Sequence, residues 1–150
     1  QGANLTFTGV AAMEASARRS VRPKNMPPSP TASPCVLVSD TLYCSAKSAF
    51  IPGPNSGIYT DTVETQVRYS LRNLLDGLEE AGMDLSNVVS TNVYLDDIQD
   101  FAKMNGVYAS YFQSPFPTRT TVQQRPPVER KPGKDGRWPM LEQISLIAVR

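Results

Sequence analysis

The 150-residue chain has no histidine, two cysteines and nearly balanced charge, 15 Lys+Arg against 14 Asp+Glu. Without an imidazole there is no Ser-His-Asp triad, no Cys-His dyad and no His-ligated metal. Chemistry here falls to carboxylates, Arg, Lys, Tyr, hydroxyls, main-chain groups and bound water. Cys35 and Cys44 stand nine positions apart, which matches neither CxxC redox spacing nor a zinc-knuckle pair. One disulfide is open to them. Both lie in strand-like runs, however, and the expectation is a buried, reduced pair behaving as small hydrophobes. A net charge of +1 leaves no global field for nucleic acid or an anionic membrane. Arg18, Arg19, Arg22 and Lys24 form a basic stretch without aromatic stacking partners, so it reads as a solvated connection. No run approaches the ~18 apolar residues of a membrane span.

The elements that must position these groups follow from periodicity and punctuation. Residues 3–13 alternate apolar and polar, a short strand with Leu5, Phe7 and Gly9 on one side. Residues 14–34 carry the basic stretch and five prolines, an extended arm. The chain thus divides into an N-terminal strand and arm, 1–34, and a domain, 35–150. CVLV and TLYCS (35–45) flank Ser39-Asp40 as a β-hairpin. Asp61 and Glu64 form a capping box opening a helix with the stripe Val63, Val67, Leu71, Leu74, Leu75 and Leu78, closed by Gly82. VVSTNVYL (88–95) is a buried strand. Asp96, Asp97 and Asp100 lead into a second helix reaching about Gln113, its stripe Phe101, Met104, Val107, Tyr108, Tyr111 and Phe112 read as packing. Residues 118–124 and 141–149 are strands separated by a Pro/Gly/basic insertion, 125–139, read as an exposed hairpin loop; the competing reading folds it over a cleft with Arg125 or Trp138 on a ligand. The fold class is α+β, a mixed sheet with two helices on one face. Its other face must be covered, which points to oligomerisation. NLTFTGVAAM at the start echoes LEQISLIAVR at the end, as a piece cut from a tandem-domain parent would. The chain begins at Gln1 rather than Met; the expected location is cytoplasmic, with a removed signal peptide left open.

From residue 61 onward the chain resembles the RidA/YjgF family. The matching pieces are DTVETQVRYSLRNLLDGLEEAGMDLSNVV, STNVYLDDIQDFAKMN, GVYASYF, FPTRTTV and the terminal ISLIAVR, in the family's order and spacing. Pro117-Thr118-Arg119-Thr120 is the most specific element. LYCSAKSAFIP (42–52) lies where the family has a strand ending in a Ser-Gly-Gln type turn. The resemblance implies a chorismate-mutase-like fold and a homotrimer with ligand clefts between subunits. It also implies hydrolysis of reactive 2-imino or enamine acids to 2-oxo acids and ammonia, with no metal or organic cofactor. The implied partners are a small 2-imino or 2-oxo acid and further copies of the chain, with no nucleic acid or membrane.

By that resemblance Arg119 anchors the substrate carboxylate in bidentate fashion, with the N–H groups of Thr120 and Thr121 completing the cradle. Ser45 and Ala46 fall at the ligand-facing turn; alanine replaces the family's glycine and narrows the space, and Lys47 adds a charge. The water-orienting glutamate of the last strand falls on Gln143, and a second acidic position on Ser145. Glutamine holds a water but cannot take its proton. Glu142 is adjacent, but strand alternation turns it to the opposite face, so it substitutes only through a slip or bulge. The family's cleft tyrosine has no counterpart around Ala32 to Pro34. Two readings follow: an imine deaminase, or a trimeric module that binds a small carboxylate without turning it over. Ribonuclease action lacks a histidine, a basic face and a stacking platform.

Overall fold

Ser39 and Asp40 close a two-residue hairpin between β2 (Cys35–Val38) and β3 (Thr41–Lys47), with Ser39 at a φ of 51°. The computed structural model describes residues 2, 4–123 and 125–150. Such a turn makes Val38 face Thr41 and, three steps further, Cys35 face Cys44. The two are joined in a disulfide, which corrects the expectation of reduced thiols. The physical reason is register: cross-strand partners 4.1 Å apart at Cα are within bridging reach. Both sulfurs lie under α1 (Val63–Glu80), at Gly77, where a Cβ would come within 2.8 Å of Cys35 Sγ.

The remaining elements are β1 (Arg18–Val21), β4 (Val88–Leu95), α2 (Phe101–Tyr108), β5 (Thr118–Gln123) and β6 (Glu142–Val149). They build one six-stranded sheet in the order β1-β2-β3-β6-β4-β5. Every pairing is antiparallel except β4 with β5, which α2 connects. The strand expected within 3–13 is not formed by residues 4–13; the first strand lies instead in the arm, where Arg18 pairs with Val38 and Val21 with Cys35. An edge strand needs hydrogen bonds on one side only, so a polar sequence can serve.

The α1 N-cap is Thr62, whose hydroxyl accepts from Thr65 N–H, rather than Asp61. Gly82, at a φ of 74°, ends the helix with Met83 N–H bonded back to Leu78 C=O. Helix α2 stops at Tyr108, short of Gln113; the Ser110 hydroxyl caps the Val107 carbonyl and the chain turns.

Val63, Val67, Leu71, Leu74 and Leu78 of α1 and Met104 and Tyr108 of α2 bury against Leu42, Val93, Leu95, Ile144 and Leu146 of the sheet. One side of the sheet is therefore core. The other side presents Tyr43, Asn92, Tyr94, Gln143, Ser145 and Ile147, all half-buried with no helix over them. The 125–139 segment forms no strand; it is a loop pinned by Val128 N–H to Asp96 Oδ2, by Arg130 to Asp100 and by Trp138 N–H to the Ile58 carbonyl. No helix among the described residues is long and apolar enough to cross a membrane.

Candidate functional site

Arg119 sits opposite Thr91 in the β4–β5 register and shares that residue's helix-facing side. Its Nη1 donates to Asn105 Oδ1 at 2.7 Å. Its guanidinium carbon lies 4.7 Å from the Tyr108 ring centroid and 5.4 Å from that of Phe101. Phe101, Asn105 and Tyr108 are spaced i, i+4, i+7, so one stripe of α2 holds the guanidinium from three points. The Tyr108 hydroxyl is itself tied to Thr91 Oγ1 at 2.9 Å. Burial raises the Tyr108 phenol, with the Thr91 hydrogen bond and the Arg119 charge opposing it. Arg119 is half-buried and joins no ion pair among the described residues. Sequence reading missed Asn105, and it read Phe101 and Tyr108 only as packing; their helical spacing opposite Arg119 was the available signal.

Thr121 shares the Arg119 side, its hydroxyl buried without a partner among the described residues, whereas Thr120 is exposed. Strand β5 has a neighbour on one side only, so half of its main-chain donors point away from the sheet.

Gln143 is placed elsewhere. It pairs with Tyr94 on the uncovered face and lines a cavity of about 260 Å3 with Tyr94, Asp96, Arg125, Met140 and Glu142. Its amide nitrogen touches Met140 Sδ at 2.6 Å. Asp96 is buried there: Oδ2 accepts from Val128 N–H, and Oδ1 lies 3.7 Å from Arg125 Nε without a hydrogen bond. Arg125 thus reaches this cavity, while Trp138 is held by its main-chain N–H to the Ile58 carbonyl and does not line it. Glu142 lies on the helix side as alternation requires, 1% exposed, accepting from the Ser70 hydroxyl at 2.5 Å. Burial pushes its carboxyl up to about 8, against the opposing Ser70 hydrogen bond.

Ser45 and Ala46 occupy a register shift in β3, between the Cys44–Leu146 and Lys47–Ile144 pairs. Ser45 is exposed and Ala46 half-buried. A single chain therefore brings together Arg119 with its α2 cradle, and separately Gln143 with Tyr94, and separately Ser45 with Ala46. Two strands lie between β3 and β5 in the sheet.

A mixed six-stranded sheet covered by two helices on one face is the chorismate-mutase-like α+β fold of L-PSP/YjgF proteins. The chain belongs to that family: the Endoribonuclease L-PSP profile matches residues 24–126. It is 40% identical over 91 residues to the 2-iminobutanoate/2-iminopropanoate deaminase of Capra hircus, covering 61% of this chain and 66% of that one. It is 37% identical over 99 residues to the mitochondrial protein mmf2 of Schizosaccharomyces pombe, covering 62% of this chain and 72% of that one. The match thus spans about two thirds of these relatives. The crystal structure of E. coli TdcF with bound serine superposes with a TM-score of 0.70 at 26% identity, covering 88% of this chain and 98% of that chain.

Proposed function

We propose that the protein hydrolyses small 2-imino acids to 2-oxo acids and ammonium in clefts between the subunits of a homotrimer. Arg119 anchors the carboxylate; water adds to the imine carbon, the carbon–nitrogen bond breaks, and the amine leaves with the protons. An imine already hydrolyses unaided, so fixing the acid group beside a polarised, ordered water is sufficient catalysis. The single observation that carries the reading is the Arg119 guanidinium, steadied by Asn105, Phe101 and Tyr108 yet joined to no carboxylate of its own chain among the described residues. A cation fixed by neutral and aromatic groups keeps its charge for an incoming anion. The deaminases among the relatives, and the serine held by TdcF, a small molecule with a carboxylate, support the same assignment.

The test couples a pyridoxal-phosphate-dependent dehydratase to the purified chain and follows decay of the released imine. Accelerated decay that is lost in Arg119→Ala is expected; decay at the uncatalysed rate, with an active family member alongside, overturns the reading.

Gln143 favours one alternative, a carboxylate-binding trimer without turnover, because its amide orders water but takes no proton. Calorimetry with 2-oxo acids separates the two: Arg119-dependent binding combined with no imine decay selects the binder.

A further inference from the structure

Lys47 is a lysine buried to 8% exposure. Its Nζ lies 2.7 Å from the Pro34 carbonyl, 3.0 Å from the Ser45 carbonyl and 2.5 Å from Ser45 Oγ, and it forms no ion pair among the described residues. The register shift between Cys44 and Lys47 brings this about, folding the lysine back onto the serine two residues before it. Ser45 itself is exposed. It opens onto a cleft of about 440 Å3 whose walls are mostly apolar, with Val10, Val36, Val38 and Tyr43, and carry Arg18 and Ser33 as well.

We propose that Ser45 and Lys47 form a nucleophilic dyad that takes short-chain acyl esters, with the acyl chain lying in the apolar cleft and Ser45 Oγ as the acylated atom.

The hydrogen bonds around Lys47 Nζ set the direction of proton transfer. A carbonyl oxygen only accepts, so Pro34 and Ser45 C=O hold two of the Nζ hydrogens in place. The hydroxyl is the one partner able to reverse. With Lys47 charged it accepts from Nζ and donates to the Pro34 carbonyl, 3.2 Å away. With Lys47 neutral the lone pair faces Ser45 Oγ, and the hydroxyl donates to it. Burial lowers the ammonium to about 8, so about a tenth is already neutral at pH 7. Oγ then attacks the ester carbonyl carbon and its proton passes to Nζ. The alcohol departs as the carbon–oxygen bond breaks, taking that proton, and water later releases the acid and restores Ser45 by the same exchange. Ala46 stands outside the β3–β6 pairs beside the serine, and the Ser45 N–H is bonded to the Pro34 carbonyl at 3.1 Å, so the charged Lys47 Nζ is the cation beside the developing oxyanion. Ser–Lys pairs are a known variant of the hydrolase triad, needing no imidazole.

This inference gives Ser45 a role beyond the ligand-facing turn that the family resemblance implies for it, and its readout, acylation of Ser45, is separate from imine decay, which Arg119 carries. The test incubates the 150-residue chain with p-nitrophenyl butyrate and reads nitrophenolate release together with the mass of the labelled peptide. One butyryl group per chain on Ser45, labile to hydroxylamine, is expected. It should be absent in Ser45→Ala and should form about a hundredfold more slowly in Lys47→Met and in Lys47→Arg, which keeps a buried cation but supplies no base. Circular dichroism confirms that each variant is folded. Label on lysine amines alone, no label at all, or labelling of Ser45 at an unchanged rate in a folded Lys47→Arg overturns the dyad.

Discussion

Arg119 and Gln143 lie on opposite faces of one sheet, Arg119 across from Thr91 on the helix side and Gln143 across from Tyr94 on the uncovered side. Two strand spacings and three residues along β4 separate them, about 14 Å between their main chains. A ligand of a few heavy atoms cannot touch both within one chain, so a cleft that uses both takes one from each of two copies.

That relationship has a mixing signature. The Arg119→Ala and Gln143→Leu proteins should each be impaired, and refolding them together at equal amounts should restore activity. A site is intact only when its Arg119 and its Gln143 come from chains mutated elsewhere, about a quarter of sites on random assembly. Imine decay in the mixed sample is the readout. Mixing that restores nothing, or a monomer in sedimentation at micromolar concentration, removes the shared cleft.

Gln143 also sets the expected rate. An amide positions water but leaves the proton on it, and a carboxylate at the same place adds general-base assistance worth about 10²-fold or more. Gln143→Glu is therefore expected to raise kcat for imine decay at least tenfold with little change in KM, since the Arg119 guanidinium proposed to bind the carboxylate is untouched. Steady-state kinetics on the two proteins checks it. An unchanged or lower kcat would place the reacting water elsewhere.

How much of this was open to reading from the chain depended on whether a feature was local. Strand Val88–Leu95 and the Ser39-Asp40 hairpin emerged where β-branched runs and turn residues placed them. Alternation alone put Glu142 and Gln143 on opposite faces. The Cys35–Cys44 bridge was also local, because counting four residues back from each side of a two-residue turn makes the pair direct partners. The polarity and packing of each cysteine do not reveal it; only its register position does. By contrast, the Lys47 contact with Ser45 depends on a register shift that no periodicity announces. The strand at Arg18–Val21 carries no apolar alternation, being an edge with three exposed residues. The Arg119 cradle joins β5 to α2, a contact made only when the crossover packs.

The carboxyl of Glu142 makes stability depend on pH in a defined direction. Its folded value is raised from 4.5 to about 8 by burial. The folded state keeps a proton that the unfolded chain releases above the ordinary value, so stability is full at acid pH. It declines as pH rises between those two values, by up to about 1.4 kcal/mol per unit. Above about 8 the loss is complete. Glu142→Gln, which still accepts from Ser70, should flatten this slope and be the more stable protein at pH 8. Urea midpoints at pH 5, 6.5 and 8 measure it; parallel curves for the two proteins would show that the carboxyl is not held neutral.

The disulfide predicts a second, independent effect. A bridge between residues nine apart restricts the unfolded chain by about 2.7 kcal/mol in the loop-entropy account, and the chain should lose about 2–3 kcal/mol when both cysteines become serine. The oxidised pair should leave no thiol titratable in denaturant until a reductant is added. The same hairpin in a reducing compartment packs two thiols under Gly77, stable but weaker. Gly77→Ala sharpens the point, because its Cβ would press on Cys35 Sγ at 2.8 Å. A 2.8 Å approach is too close for carbon and sulfur, so α1 must lift from the hairpin. Thermal unfolding of Gly77→Ala with and without reductant is expected to show destabilisation in both states, larger when the bridge holds the sulfur in place. Equal melting temperatures for wild type and Gly77→Ala would mean that the helix does not rest on the bridge.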